Sequence, residues 1–168
     1  VDGEHLQIRA GSAVSKIEQA MEYLVSHVYS NLDLITKNAE SDTDISTILT
    51  ATRMAGTEEN RNAAARMEEF LEIQSAKRLP TSMADIQKKY QGIPYGWKEI
   101  DIAAVAALLI AQQKVTIKYG GMTIQPDNSK LPDMLRKKSE IGKTMISKRQ
   151  IISFSNMKAV RELLREYF

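Results

Sequence analysis

Apolar residues at Val14, Ile17, Met21, Leu24, Val25 and Val28 recur at spacings of three and four, which places them on one face of a helix. Ser12 stands where a cap is needed, Tyr29 and Leu32 continue the stripe, and the polar run 38–42 ends it. Before it, His5-Leu6-Gln7-Ile8-Arg9 alternates after the Asp2-Gly3 turn pair and predicts a short half-buried strand. A short helix over 43–53 carries Ile45, Ile48 and Leu49. Gly56-Thr57 then stops one segment and caps the next, a helix to about Lys77 with the stripe Ala64, Met67, Phe70, Leu71 and Gln74. Lys77-Arg78-Leu79-Pro80 breaks that pattern.

Beyond Pro80, Thr81 or Ser82 can cap a helix over 83–90, and the loop Gln91 to Trp97 leads to a second over 99–113. The second is apolar almost all round from Ile102 to Ala111, so it belongs at the centre of its domain. Lys114 to Tyr119 alternates and is rich in β-branched residues, and Gly120-Gly121 turns it back onto Met122-Thr123-Ile124. A helix over 131–138, an extended stretch over 145–152 and a last helix over 156–167 complete the reading. The expected fold is mainly α with a small β component (α+β): a helical part over 1–79 with a short N-terminal strand, then a winged-helix-like part over 80–168.

Composition narrows the chemistry. The 168 residues include no cysteine, which excludes disulfides, Cys-ligated metal and thiol nucleophiles, and a reducing compartment fits. The apolar share of 43% and charged share of 26% are those of a folded domain. The longest apolar run is half of what a membrane span needs. The chain opens on Val1 inside an expected strand, as a piece of a longer polypeptide would.

Charge is distributed unevenly. The formal net charge is +2, yet from Lys130 onward ten basic residues face four acids, a local +6 that leaves −4 on the rest. A basic module of this kind suits a polyanion, with Lys114, Lys118, Arg136, Lys137, Lys138, Lys143, Lys148 and Arg149 as the candidate phosphate contacts. A solvated basic surface, or a patch that meets an acidic protein, accounts for the same count.

Other motifs carry less. Gly142-Lys143-Thr144 has the end of a phosphate loop, but Lys137 stands where its first glycine belongs and bulky residues fill the loop. His5 and His27 have no second ligand at helical spacing, so no metal site is expected, and no nucleophile elbow occurs. The Glu58-Glu59 and Glu68-Glu69 pairs read as solvated charge, because sequence neighbours on a helix point apart. Trp97, the only tryptophan, follows Pro94-Tyr95-Gly96 at the entry to the most apolar helix and reads as core packing. No catalytic residue and no cofactor are expected.

Pro94-Tyr95-Gly96-Trp97, then Asp101-Ile102-Ala103-Ala104-Val105-Ala106-Ala107-Leu108-Leu109, then the glycine-turned hairpin, resembles one family: the large P-loop ATPases of BREX phage-defence systems (BrxC, also called PglY). The similarity extends to Asp2-Gly3-Glu4 with Leu6, Leu24-Val25 with Val28-Tyr29 and Leu32, and Asp44-Ile45 with Ile48-Leu49. It implies a region outside the ATPase core of a cytoplasmic, multi-subunit antiviral machine, with other subunits of the complex as partners. The family's nucleotide-binding motifs are missing, so no ATPase role passes to any residue here. The expectation is a non-catalytic scaffold or a region contacting duplex DNA through its backbone; a free-standing winged-helix regulator and a pure protein-docking module are the alternatives.

Overall fold

The computed structural model describes residues 11–50 and 59–149, with Ile8, Glu162, Leu164 and Arg165. Of the strand expected over 5–9 only Ile8 is described, and it lies in no strand or helix; the Thr57 cap and the last helix lie outside these residues, except that Glu162, Leu164 and Arg165 are helical.

Helix α1 (Ala13–Val28) begins at Ser12, whose hydroxyl accepts the Ser15 N–H. It ends four residues before Leu32, because a contact distant in sequence takes over the chain: the Asn31 N–H donates to the Pro94 carbonyl at 3.0 Å. Leu32–Leu34 is one 3-10 turn. Helix α2 (Asp42–Thr50) buries Ile45 and Leu49. Helix α3 (Arg61–Ala76) follows Asn60, which adopts a left-handed conformation and clips the chain at 36–37 by accepting from the Thr36 and Lys37 N–H groups and donating to the Lys37 carbonyl. Its buried stripe is Ala63, Ala64, Met67 and Leu71.

Of the two possible caps for helix α4 (Met83–Gln91), Ser82 serves, in a reciprocal box with Asp85. The Ser82 hydroxyl and the Ser82 N–H both donate to the Asp85 carboxylate and hold it below its ordinary range. Helix α5 (Glu99–Ala111) is the axis of the core, with Ile102 to Ala107, Leu109 and Ile110 all buried. It packs against α2, α3 and α4, and against the later helix α6 (Leu131–Arg136). The core is one cluster running across the Lys77–Pro80 turn, from Ile45 and Met67 to Ile117 and Ile146.

Strands β1 (Val115–Tyr119) and β2 (Met122–Ile124) form the expected hairpin. Gly120 at φ 55° and Gly121 at φ 85° supply the two left-handed residues that a tight hairpin turn demands. The single helix expected over 131–138 is broken at Lys137, whose extended backbone (ψ 129°) separates α6 from the one-turn α7 (Lys138–Ile141). Strand β3 (Thr144–Lys148) then pairs antiparallel with β1, giving the sheet order β2-β1-β3. Val115 and Ile117, with Thr144 and Ile146 of β3, face the core; Thr116, Lys118, Met145 and Ser147 form the outer face.

Candidate nucleic-acid interface

The eight candidate cations fall into separate groups. Lys114, Lys148 and Arg149 meet at one end of the sheet, where the Arg149 N–H donates to the Lys114 carbonyl at 2.8 Å. There they face α3 and its acids: Lys114 Nζ is 2.7 Å from Glu68 Oε2, and Lys148 Nζ is 2.5 Å from Glu72 Oε2 and 3.9 Å from Glu68 Oε1. Arg149 reaches the Gln113 side-chain oxygen at 3.2 Å.

Arg136 sits at the end of α6, where it joins the first turns of two other helices, with Asp42 at 2.5 Å and Glu99 at 3.5 Å. Lys137 pairs with Asp133 at 2.8 Å, and that carboxylate raises the Lys137 ammonium above its ordinary value. Lys138 is exposed at the start of α7, and Lys143 lies 3.8 Å from Glu140. Glu140 also accepts from the Tyr119 hydroxyl, which pushes that phenol up and draws the carboxyl down. Lys118 stands exposed on the outer face of the wing, between Thr123 and Met145 in the pairing register.

Five of the eight therefore have a carboxylate within 4 Å, while among the described residues Lys118, Lys138 and Arg149 have none. Solvent-screened pairs of this kind contribute little to the stability of the fold. Their larger effect is on ligands, because a phosphate must displace a carboxylate that is already in place. Glu68 and Glu72 were not singled out together by the sequence reading; their i,i+4 spacing was the available signal, since it sets both on one face of α3.

The phosphate-loop resemblance has no structural counterpart. In that motif the Gly-Lys-Thr tripeptide opens a helix, whereas here Gly142 closes α7 and Thr144 is buried at the start of β3, donating its hydroxyl to the Glu140 carbonyl. Among the described residues no group of three or more His, Cys, Asp or Glu side chains could hold a metal ion. No helix among them is long and apolar enough to cross a membrane.

In chain order α5 follows α4 and the turn at 92–97 and precedes the wing, as the second helix of a helix-turn-helix does, and that helix normally reads bases. The turn is built for packing. Trp97 is buried and stacks on Tyr90 with ring centroids 4.7 Å apart and planes 9° from parallel, and its indole N–H donates to the Asn31 carbonyl at 2.9 Å. The helix it launches is enclosed by α2, α3, α4 and α6.

The model of the BREX ATP-binding protein BrxC winged helix-turn-helix domain matches residues 31–150. The chain belongs to that family. No solved structure matches it. The BrxC match starts after α1, crosses the Lys77–Pro80 turn and ends just past β3, so it takes in the whole core and leaves α1 outside. The part of a BrxC protein represented here is its winged helix-turn-helix domain and not a catalytic ATPase domain.

A buried carboxylate ties two segments of this BrxC domain to each other. Asp101, in the first turn of α5, accepts the Ala39 N–H at 2.7 Å and so ties the segment before α2 to the central helix. Burial pushes its carboxyl above the usual aspartate value, against the opposing pull of the Ala39 N–H and Lys98. Asp101→Ala should cost about 1–3 kcal/mol by leaving that N–H unpaired, and Asp101→Asn, which keeps the acceptor, should cost less. A raised folded pKa means that the folded state binds the proton more tightly, so this group favours folding below the unfolded value and loses that contribution as pH rises through the folded one. Urea melts should therefore show the parent gaining on Asp101→Asn as the pH is lowered from neutral. Equal losses for the two variants would show that the bond does not hold the segment.

Proposed function

We propose that this domain is a non-catalytic docking module of a cytoplasmic BREX ATPase assembly, holding another subunit by its folded surface rather than reading bases. The observation that supports this is the burial of α5. A reader helix must present polar side chains to base edges in the major groove, and the buried face of α5 from Ile102 to Ile110 offers only Ile, Ala, Val and Leu. The test is removal of residues 31–150 from the parent protein. ATP hydrolysis should persist while assembly with the other subunits is lost; assembly that survives the deletion would count against the proposal.

A second reading is favoured by the three cations that have no acid partner among the described residues. Lys118, Lys138 and Arg149 can bind phosphates without displacing a carboxylate, while Lys114, Arg136, Lys137, Lys143 and Lys148 cannot. Duplex binding of this kind is weak and independent of sequence. The plot of log affinity against log salt should have a slope of about −3, set by these three cations, rather than the roughly −7 expected if all eight met phosphates. Changing all three to Glu should abolish it without lowering stability. Lys148→Glu is a poorer probe, since the new carboxylate would face Glu68 and Glu72. Fluorescence anisotropy with two unrelated duplexes checks both points, and tight binding to only one of them would point instead to a sequence-reading regulator.

A further inference from the structure

The stripe that opens the chain is not part of the core. Helix α1 buries no residue: Val14 is 66%, Ile17 65%, Met21 58% and Leu24 44% exposed. Its foot is nonetheless fixed, by the Asn31–Pro94 hydrogen bond and by the Tyr29 ring against Gly96, so the helix leaves the body at a set angle with this face open. The face continues into an open cleft of about 660 Å³ at that foot, lined among others by Val25, Tyr29, Leu32, Ile35 and Trp97. A continuous apolar surface of this extent marks an interaction site.

The spacing of the stripe fits a second helix laid along it. Val14, Ile17, Met21, Leu24 and Val28 alternate intervals of three and four, the a/d spacing of a coiled-coil seam, with Val25 beside it at the e position. We propose that α1 pairs antiparallel with α1 of a second copy of this chain. With Met21 opposite Leu24 of the second copy, Ile17 falls opposite its Val28, and the two-fold axis repeats both layers. In this register Glu18, beside the seam, lies across from Val25 of the second copy, so no two carboxylates meet; the register one heptad away sets Glu18 against itself. Val14 then extends past the end of the opposing helix to the level of Asn31 and Leu32, where the cleft receives it. The arrangement is isologous and closes at two copies, with the two bodies at opposite ends of the pair. Four seam layers and two cleft contacts make a small interface, so the dimer is reversible in the micromolar range.

Sedimentation velocity of the whole chain tests this directly. A concentration-dependent monomer–dimer equilibrium is expected. Ile17→Glu and Met21→Glu should each weaken it about tenfold or more, and Gln19→Glu, on the opposite side of α1, should leave it unchanged. Since none of these side chains belongs to the core, the thermal melt of each variant should match the parent at concentrations where the parent is monomeric. The chain has no cysteine, so orientation is read by adding one: an equimolar mixture of Ile17→Cys and Val28→Cys should oxidise to the mixed dimer. A chain that stays monomeric throughout the micromolar range overturns the proposal, as does a dimer indifferent to both Glu variants. Preferential self-linking of Ile17→Cys alone does the same, by showing a parallel pair.

Discussion

Replacing Trp97 by alanine should lower the stability of the domain by about 3–5 kcal/mol, the largest loss expected from any single truncation here. The indole is buried, stacks on the buried Tyr90 and meets Tyr95 edge to face at 5.1 Å, so its removal empties a volume bounded by rigid rings. It also removes the donor to the Asn31 carbonyl, which is one of the bonds fixing the segment after α1. Trp97→Phe restores most of the volume but not the donor and should recover part of the loss. A urea midpoint that stays put in Trp97→Ala would mean that the turn at 92–97 is not a packing element.

A comparable loss, about 2–5 kcal/mol, is expected for Leu109→Ala, and a smaller one for its neighbour Leu108→Ala. Leu109 is fully buried in α5, whereas Leu108 is only half-buried, so the two substitutions remove the same atoms from different surroundings. The cavity term therefore separates them, and calorimetry of the pair measures it. If the order were reversed, the face of α5 assigned to the centre would be wrong.

The parts of the fold that could be read from sequence are those decided by local pattern. Ile102 to Ala111 is apolar on every side and occupies the centre; Gly120-Gly121 turns a hairpin because both positions need φ above zero; Ser12 and Ser82 cap because a hydroxyl stands before an apolar period. The end of α1 was not legible, since Val28 is followed by residues that continue the apolar stripe and the bond that diverts them comes from Pro94. Nor was the pairing of β3 with β1, which joins segments separated by α6 and α7. The candidate site shows the same limit. Composition counts the cations of the C-terminal third correctly but cannot show that Glu68 and Glu72 of α3 meet Lys114 and Lys148, because the fold brings those residues together from both sides of the Lys77–Pro80 turn.

Gly96 has a bearing beyond its own turn. Its φ is +64°, and a Cβ there would lie 2.6 Å from the Tyr29 ring, the residue at which α1 joins the body. The helix is 16 residues long, about 24 Å, so a tilt of roughly 10° at Tyr29 would carry Val14 about 4 Å sideways. Position 96 is thus the fulcrum of a lever whose long arm bears every exposed residue of the stripe. One hydrogen atom, in a loop far from that stripe in sequence, sets the bearing on which the arm leaves the domain and hence the range of neighbours it can touch.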